Sequence, residues 1–531
     1  MTATPAQRER GADRRAGDER RVEHAPWSGR DRRTGLDRRK GERRRGFGRR
    51  AGALTVPRRF PAASVAVDRP RVVGESATVV TAVIALCMGI GYALVTRDIV
   101  TSYATETFAQ AWSVWHVPAG EVPTIGYDQP PLLALLEIPL AFDTGLSQQL
   151  VLMPLVSVLV GAALAGIVHG VLAGFRVPTV PRIVATALVV LNPAWVYFTA
   201  AGLPTMGGML AVVTGFYGLV NWLRFGNLLW VLVSSTALAI GVLAWYPVTT
   251  WAIGAVLLLL AVLVRRRVSP GELIGVLLVY VVPIAFTMGL WTLICWQAAD
   301  TVPAWLSSAP AGAGIATSTE DFAVLVAPLV LAVVVALAVY APRRPDVVGA
   351  GVVLFLLVPL FIAVSRRALD PDDNAGAGSL FYVTLPSVAV VVSASVYAEL
   401  PSRLRAAAAV ALAACLLVGN VLLFDWMNDG AGRPVNGFAH LISGRPATTE
   451  PPPVITVGRW LEDNAEAGQV AVAASIPGRQ RNAIALMAGM PDLLGPDPQS
   501  ARWRVLPARE PAPTGFDTAL VAGDLEVVVG P

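Results

Sequence analysis

Apolar runs long enough to cross a lipid bilayer recur along this chain, and they constrain its fold more than any other feature. A helix rises about 1.5 Å per residue, so about 20 apolar residues span the hydrocarbon core. Of the 531 residues, 54% are hydrophobic and 15% are charged. The pattern predicts an all-α polytopic membrane protein of about 11 transmembrane helices. The runs lie at roughly 76–96, 150–174, 183–199, 206–223, 228–245, 247–264, 272–296, 323–341, 347–364, 379–399 and 405–424.

Positive charge is concentrated in the N-terminal tail. Residues 1–60 hold 19 of the 42 Lys and Arg but 8 of the 37 Asp and Glu, so the tail carries +11 and the remainder −6. The positive-inside rule places the tail in the cytoplasm. The Arg-bearing links FRVPTVPR, WLRFGN, RRRVS, APRRPD and PSRLR then all fall inside, provided that residues 130–142 do not cross the membrane.

The tail repeats an acid-Arg-Arg-x-Gly pattern, as DRRAG, DRRTG, DRRKG and ERRRG. With almost no large apolar residues it cannot bury a core, so we expect it to be disordered. A solvated tail is one interpretation. Attraction to anionic lipid headgroups is the other, and the interleaved acids weaken it.

The first outer segment is long and has a helical pattern of its own. It runs from Arg97 to about Gln149 and includes GYDQPPLLALLEIPLAF at 126–142, whose apolar part is too short to span a bilayer. We expect Asp128 to cap a helix that Pro130 and Pro131 begin, and we expect the segment either to dip into the membrane from the outer side or to lie along the interface. Loops of this length with internal structure are usually functional.

The chain after the last apolar run is predicted to be a small extracytoplasmic α/β domain. ITVGRWLEDNAEAGQVAVAAS has the pattern of a helix, a Gly-containing turn and a strand, and DTALVAGDLEVVVGP is strand-like. The Pro-rich RPATTEPPP marks its linker. The predicted domains are a disordered tail at 1–70, a membrane domain at 71–424 and the α/β domain at 425–531.

Several stretches together resemble a known superfamily. The first span is followed by an acid and by an outer loop that ends in DQPPLLALL. LNPAWVYFTAAGLPTMGGMLAVVTGFYGLVNWLR, GVLAWYPVTTWAIGAVLLLLAVLVRRR and FYVTLPSVAVVVSA follow in order. This arrangement resembles the GT-C superfamily of membrane glycosyltransferases, in the branch of protein O-mannosyltransferases and the lipid A aminoarabinose transferase. The resemblance covers roughly residues 76–475 and implies a GT-C-like fold.

The resemblance implies a catalytic base. In that family an Asp just beyond the first span acts as general base on the acceptor hydroxyl, and the matching residue is Asp98. A carboxylate within hydrogen-bond reach of the attacking oxygen suits an inverting transfer. The alternative is that Asp98, beside Arg97, is an interfacial charge that ends a helix. Two features depart from the family pattern: no acid pair with a nearby Tyr follows Asp98, and Phe381 replaces an Arg before Tyr382.

Further outer residues are candidates for substrate binding. Glu137 is an ionisable residue in an apolar segment, which indicates a functional site by default, although an interfacial segment would let it reach water. Arg366 and Arg367 lie outside, against the positive-inside trend, and an Arg fork binds a lipid phosphate well. For each of these residues, the alternative to substrate binding is that it is an ordinary charged residue of a loop. The substrate-binding candidates are Glu106, Asp128, Glu137, Arg366, Arg367 and Tyr382.

The aromatic and metal signals of the first outer loop are weak. His116, in WSVWH, has no partner at metal-ligand spacing, so no cofactor is indicated, and a divalent metal requirement stays open. Trp112 and Trp115 either pack against sugar rings or anchor the loop at the membrane interface.

Two classes of function fit these features. The first is a glycosyltransferase of the plasma membrane that moves a sugar from a polyprenyl-phosphate donor to an extracytoplasmic lipid, glycan or protein acceptor. The second is a transporter or a catalytically silent scaffold. Transporters usually show internal repeats with broken spans in matching places, and we find no such symmetry here. A nucleic-acid partner is not expected.

The topology gives a first prediction. With the N-terminus in the cytoplasm, a cysteine introduced at Ser102 or Ser475 should react with an impermeant thiol reagent in intact cells, and one at Thr34 should not. Labelling of position 34 alone would invert the topology.

Overall fold

The computed structural model of the protein describes residues 69–118, 125, 129–299, 327–328, 331, 386–387, 390, 394, 397, 400–429, 434–446, 450–495 and 501–530. Helices dominate this part of the chain, and a small sheet lies near its end. The helices are α1 (Arg69–Val95), α2 (Ser102–His116), α3 (Leu132–Glu137), α4 (Thr144–Gln148), α5 (Leu155–Gly174), α6 (Thr179–Val190), α7 (Pro193–Ala200), α8 (Thr205–Phe225), α9 (Leu228–Ala244), α10 (Val248–Arg265), α11 (Pro270–Ala299), α12 (Ser402–Asp429), α13 (Val435–Ser443), α14 (Pro453–Asn464) and α15 (Gly478–Ala488).

Several described helices are long and apolar enough to cross a membrane, so the protein is a multi-pass membrane protein. By length and composition there are six of them among the described residues, α1, α5, α8, α10, α11 and α12, and seven if the bent pair α6–α7 is one span. α9 is apolar but has 17 residues. The predicted runs at 323–341, 347–364 and 379–399 lie outside the described residues except at isolated positions. The number eleven therefore stays a prediction.

The run at 183–199, expected to be one span, is broken in two. α6 and α7 meet at an angle of 63°. Asn192 caps α7 by accepting a hydrogen bond from the backbone N–H of Trp195 at 3.1 Å, and Pro193 occupies the first turn of α7. A proline at that position has no amide hydrogen to donate to the preceding turn, and together with the Asn192 cap it favours a new helix that begins here over a continuous one.

Residues 130–142 do not form a span, as predicted. Pro131 precedes the six-residue helix α3, and a single 3₁₀ turn follows at Ile138–Leu140. Nine helical residues cannot cross a hydrocarbon core of about 30 Å. The segment packs against α2 and α5.

The C-terminal part of the chain forms the expected mixture of helices and strands. Its four-stranded sheet has the order β1-β2-β4-β3. β1 pairs in parallel with β2, whereas β2–β4 and β3–β4 are antiparallel. The strands are β1 (Val470–Val472), β2 (Trp503–Pro507), β3 (Asp517–Ala522) and β4 (Leu525–Val529).

Helices α14 and α15 join this domain to the first outer loop. α15 packs against α2 of that loop on one side and against α14 on the other. The α14–α15 crossing is closest at Gly458, where an added Cβ atom would lie 2.4 Å from Met487 Cβ and 3.1 Å from the Ile484 carbonyl oxygen. The position of α14 relative to the loop therefore depends on a residue without a side chain.

This close crossing predicts a position-specific effect of alanine. Gly458→Ala should destabilise the C-terminal domain by about 1 to 3 kcal/mol, because the new methyl group forces the two helices apart. Gly275→Ala is the matched control, since no atom lies within 4 Å of a Cβ added there. Thermal unfolding of the purified protein in detergent measures both. Equal midpoints for the two variants would contradict the close crossing.

Candidate active site at the C-terminal end of the first helix

Asp98 closes helix α1 in a left-handed backbone conformation, with φ of 56°. The Asp98 N–H donates to the Val95 carbonyl at 3.1 Å, and the Ile99 N–H donates to the Leu94 carbonyl at 2.9 Å. These two bonds form a Schellman cap, which satisfies carbonyls that the helix end leaves open. The cap fixes the backbone of Asp98 at the point where the chain leaves the predicted membrane.

The left-handed conformation is not itself a sign of catalysis. Arg176 and Arg267 follow α5 and α10 with φ of 61° and 52° and have the same two types of bond. Asp98 differs from these two arginines in what its side chain contacts, an arginine and a cavity.

The Asp98 carboxylate is paired with an arginine from the C-terminal domain. Arg459 Nη2 on α14 lies 2.8 Å from Asp98 Oδ1, with 45% of the Arg459 side chain and 34% of the Asp98 side chain exposed. Among the described residues, Oδ2 has no hydrogen-bond partner. One oxygen is thus held and the other is available to a ligand.

A cavity of about 610 Å³ lies beside Asp98, between the first outer loop and the C-terminal domain. Both parts contribute to its wall, and the described lining contains two carboxylates, those of Asp98 and Glu450, and no Lys or Arg. Gly523, in the β3–β4 turn, closes one side by approaching Pro453. The lining residues are Asp98, Val100, Thr101, Ser102, Pro434, Glu450, Pro451, Pro452, Pro453, Thr456, Val521, Ala522 and Gly523.

The segment that follows Asp98 is fixed by its own packing. Ile99 and Val100 are buried, and Thr101 caps α2 by accepting a hydrogen bond from the Ala104 N–H at 3.0 Å. A β-region Thr before a helix is a preferred cap because its hydroxyl satisfies an open amide. The three residues between Asp98 and the start of α2 are thereby held, and Asp98 with them.

Glu106 forms a second acid–arginine pair across the same interface. Its Oε2 lies 2.9 Å from Arg479 Nε of α15, and the two side chains are 5% and 27% exposed. Glu106 does not line the described wall of the Asp98 cavity. The pair links α2 to α15, and a role of Glu106 in substrate binding stays a prediction.

Glu137 is completely buried, which disfavours the alternative that it reaches water. Its exposed fraction is 0%, and neither carboxylate oxygen has a hydrogen-bond partner among the described residues. α3 contacts α2 and α5, and its Leu135 and Leu136 side chains are exposed. Burial raises the pKa of the Glu137 carboxyl well above its usual range, because a charged carboxylate is disfavoured away from water.

Hydrogen bonds hold the start of the α3 segment in place. The Tyr246 hydroxyl donates to the Gln129 carbonyl at 2.9 Å, and Trp291 Nε1 of α11 donates to that hydroxyl at 3.0 Å. Thr107 of α2 contacts the Gln129 side-chain oxygen at 3.4 Å. Residues from three different parts of the chain therefore fix the backbone just before Pro130.

The aromatic residues of α2 serve packing in this structure. Trp112 is fully buried, stacks on His116 with ring centroids 4.5 Å apart, and donates from Nε1 to the Thr144 hydroxyl at 3.3 Å. His116 Nε2 lies 3.2 Å from that same hydroxyl. Trp115 is exposed and donates to the Ile138 carbonyl at 2.7 Å. The interior position of Trp112 disfavours a contact with sugar.

The remaining sequence candidates fall outside the part of the chain that the structure describes. They are Asp128, Arg366, Arg367 and Tyr382. Within the described ranges, no group of three or more His, Cys, Asp and Glu side chains is arranged to hold a metal ion.

Sequence reasoning missed Arg459, Arg479 and Glu450. Arg459 and Glu450 lie more than 300 positions along the chain from Asp98, and Arg479 lies equally far from Glu106. A solvent-exposed Arg on an amphipathic helix has no sequence pattern that distinguishes it from one at an interface.

The burial of Glu137 predicts a pH-dependent stability. The folded protein retains a proton that the unfolded chain releases above a pKa of about 4.3. The stability from this group is present below that value and is lost as the pH rises towards the folded-state pKa. Glu137→Gln, which cannot ionise, should therefore raise the thermal midpoint more at about pH 8 than at about pH 5.

The control is Glu466→Gln, on the exposed surface of the C-terminal domain. It should show no such pH-dependent difference. An effect of Glu137→Gln that is the same at both pH values would contradict the raised pKa of the Glu137 carboxyl.

Comparison with known proteins identifies no family. No family model matches the chain, and no curated protein matches it. Among solved structures, the chain is similar to ArnT from Cupriavidus metallidurans, crystallised with undecaprenyl phosphate, at 12% identity and a TM-score of 0.48 over 85% of this chain and 99% of that one. A likeness of this size assigns neither a family nor an activity.

Proposed function

We propose that the protein is a membrane glycosyltransferase that moves a sugar from a polyprenyl-phosphate donor to an extracytoplasmic lipid, glycan or protein acceptor, with Asp98 as the general base. The observation that carries the proposal is the position of Asp98. It follows an apolar helix of 27 residues directly and lines a cavity of about 610 Å³.

The depth of Asp98 suits a donor that is anchored in lipid. A residue three positions beyond the end of α1 lies near the headgroup level, if α1 crosses the bilayer as predicted. The phosphate of a polyprenyl-phosphate sugar lies at the same level because its chain stays in the hydrocarbon core. An acid at this depth meets an acceptor from the aqueous side and a donor from the lipid side.

The reaction requires one proton acceptor. The acceptor oxygen forms a bond to the anomeric carbon, the bond from that carbon to the phosphate oxygen breaks, and its electron pair leaves with the polyprenyl phosphate. The hydroxyl proton passes to a carboxylate oxygen of Asp98. Attack opposite to the leaving group inverts the configuration, and no second carboxylate nucleophile is needed.

The cavity is better suited to the acceptor than to the donor phosphate. Among the described residues its ionisable lining is Asp98 and Glu450, without Lys or Arg, and Arg459 nearby is already paired with Asp98, so the wall offers no unpaired cation to an anionic phosphate. The donor phosphate then needs a cationic site elsewhere, for which we propose Arg366 and Arg367. We likewise propose, from the sequence, that Asp128 and Tyr382 bind substrate.

The alternative of a catalytically silent scaffold also has support. Asp98 ends a helix and pairs with Arg459, and an Asp with a purely structural role can do both. The exchange of its carboxylate for an amide separates the two functions, because an amide keeps the shape and much of the hydrogen bonding but has no basicity.

Asp98→Asn should lower transfer by about 10² to 10⁴-fold, which is the usual contribution of a general base. Expression and membrane insertion should be nearly unchanged. The measurement is transfer from radiolabelled polyprenyl-phosphate sugars in membranes that hold equal amounts of each variant.

Asp429→Asn is the matched control, because Asp429 also pairs with an arginine, Arg445 at 3.0 Å, on the predicted outer side but does not line the described wall of the cavity. Glu106→Gln and Asp128→Asn should cost less than Asp98→Asn. Wild-type transfer by Asp98→Asn together with loss in either of those variants would show that another acid is the base. If the wild type transferred nothing from any such donor, the scaffold would be favoured.

A further inference from the structure

We infer that Arg459, on the C-terminal domain, is a positioning residue for Asp98, so that the soluble domain completes the candidate active site. The inference rests on the proposed function for its catalytic part. The structural part, that Arg459 holds the Asp98 segment against α14, stands on contacts alone.

The pair is built from two anchored partners. The Schellman cap fixes the Asp98 backbone, and the cap of α2 at Thr101 fixes the residues that follow. Arg459 lies on α14, whose inner face of Val454, Ile455, Val457 and Leu461 is buried. The 2.8 Å contact therefore joins a fixed helix end to a fixed helix.

Two further contacts set where α14 lies relative to the loop. The close crossing at Gly458 couples α14 to α15, and α15 is tied to α2 by the largely buried Arg479–Glu106 pair. Gln148 of α4 lies within hydrogen-bond distance of Glu462 on α14, at 3.3 Å. Arg459 thus contacts Asp98 from a pair of helices, α14 and α15, that already contacts the same loop at Glu106 and at Gln148.

The exposure of the pair separates positioning from stability. An ion pair that is this exposed contributes little to folding, so its loss should leave the protein folded. It can still determine the direction of the carboxylate, because Arg459 occupies Oδ1 and leaves Oδ2 for the acceptor. A misplacement of a catalytic group by about 1 Å can cost about 10² in rate.

The activity test is a double-mutant cycle. Arg459→Gln should lower kcat by about 10-fold to 10²-fold with little change in the donor KM, and Arg459→Lys should restore part of the loss. Because Arg459 acts through Asp98, Arg459→Gln should cause no further loss in the Asp98→Asn background. Arg445→Gln, which removes the other exposed outer pair, should leave kcat unchanged.

An equal factor of loss in both backgrounds would overturn the inference, since Arg459 would then act independently of Asp98. A raised donor KM in Arg459→Gln, with kcat unchanged, would likewise overturn it and would assign Arg459 to the donor phosphate.

A second measurement does not depend on activity. Ser102 lines the cavity beside Asp98. In a variant whose three native cysteines are replaced by alanine, Ser102→Cys should react faster with an impermeant maleimide when Arg459→Gln is added, because the cavity wall at Asp98 is then no longer tied to Arg459 of α14. Arg445→Gln should not change the rate.

The two measurements fail separately. If the wild type transfers no sugar but Arg459→Gln accelerates the labelling, the proposed function fails and the structural part of the inference stands. Equal labelling rates with and without Arg459 would overturn the positioning role, whatever the activity.

Discussion

The packing of α15 against α2 is the contact on which the candidate site depends. α2 is buried along almost its whole length, from Tyr103 to Ser113. One side of it meets the segment of α3, and another meets the C-terminal domain. Close packing of this kind transmits small displacements, so the loop and the soluble domain form one mechanical unit. The cavity beside Asp98 exists only because that unit brings residues 98–102 and 450–456 together.

The long apolar helices of the described residues were predictable from sequence, because long apolar runs have few alternatives in a bilayer. The break at Asn192–Pro193 also has a sequence pattern, a capping Asn followed by Pro. Hydropathy averaged over the whole run does not detect these two residues. Of the residues that surround the cavity beside Asp98, the sequence pointed to Asp98 alone. Asp98 was found through a family resemblance and its position after a span, whereas Arg459 and Arg479 were missed because tertiary pairing between distant charges has no local periodicity. The sequence left the burial of Glu137 open for the same reason, since α3 meets α2 and α5 only in the folded chain.

The first outer loop contains an unusual concentration of buried polar groups. Besides Glu137, the described part of the loop buries Gln129, and Gln129 Nε2 also has no hydrogen-bond partner there. Each such group costs free energy when it leaves water without a partner. Groups that persist in this state are often found where a protein binds or reacts rather than where it only packs. The loop therefore has a composition that a lipid-facing scaffold alone does not require.

Helix α1 sets the depth of Asp98, and charged contacts hold the helix near both ends. Near its start, Arg182 of α6 donates to the Glu75 carboxylate. His169 of α5 accepts from Arg182 Nε at 3.2 Å, so its proton is on Nδ1, which donates to Ser76 at 2.9 Å. Beyond its end, Asp98 meets Arg459. A slide of α1 by one residue would move Asp98 by about 1.5 Å, and rotate it by about 100°. Both sets of contacts resist that slide, because each would have to break. The proposed role of Asp98 as a base for a lipid-linked donor requires a fixed depth of this kind, and the contact with Arg459 of the C-terminal domain supplies one of the two restraints.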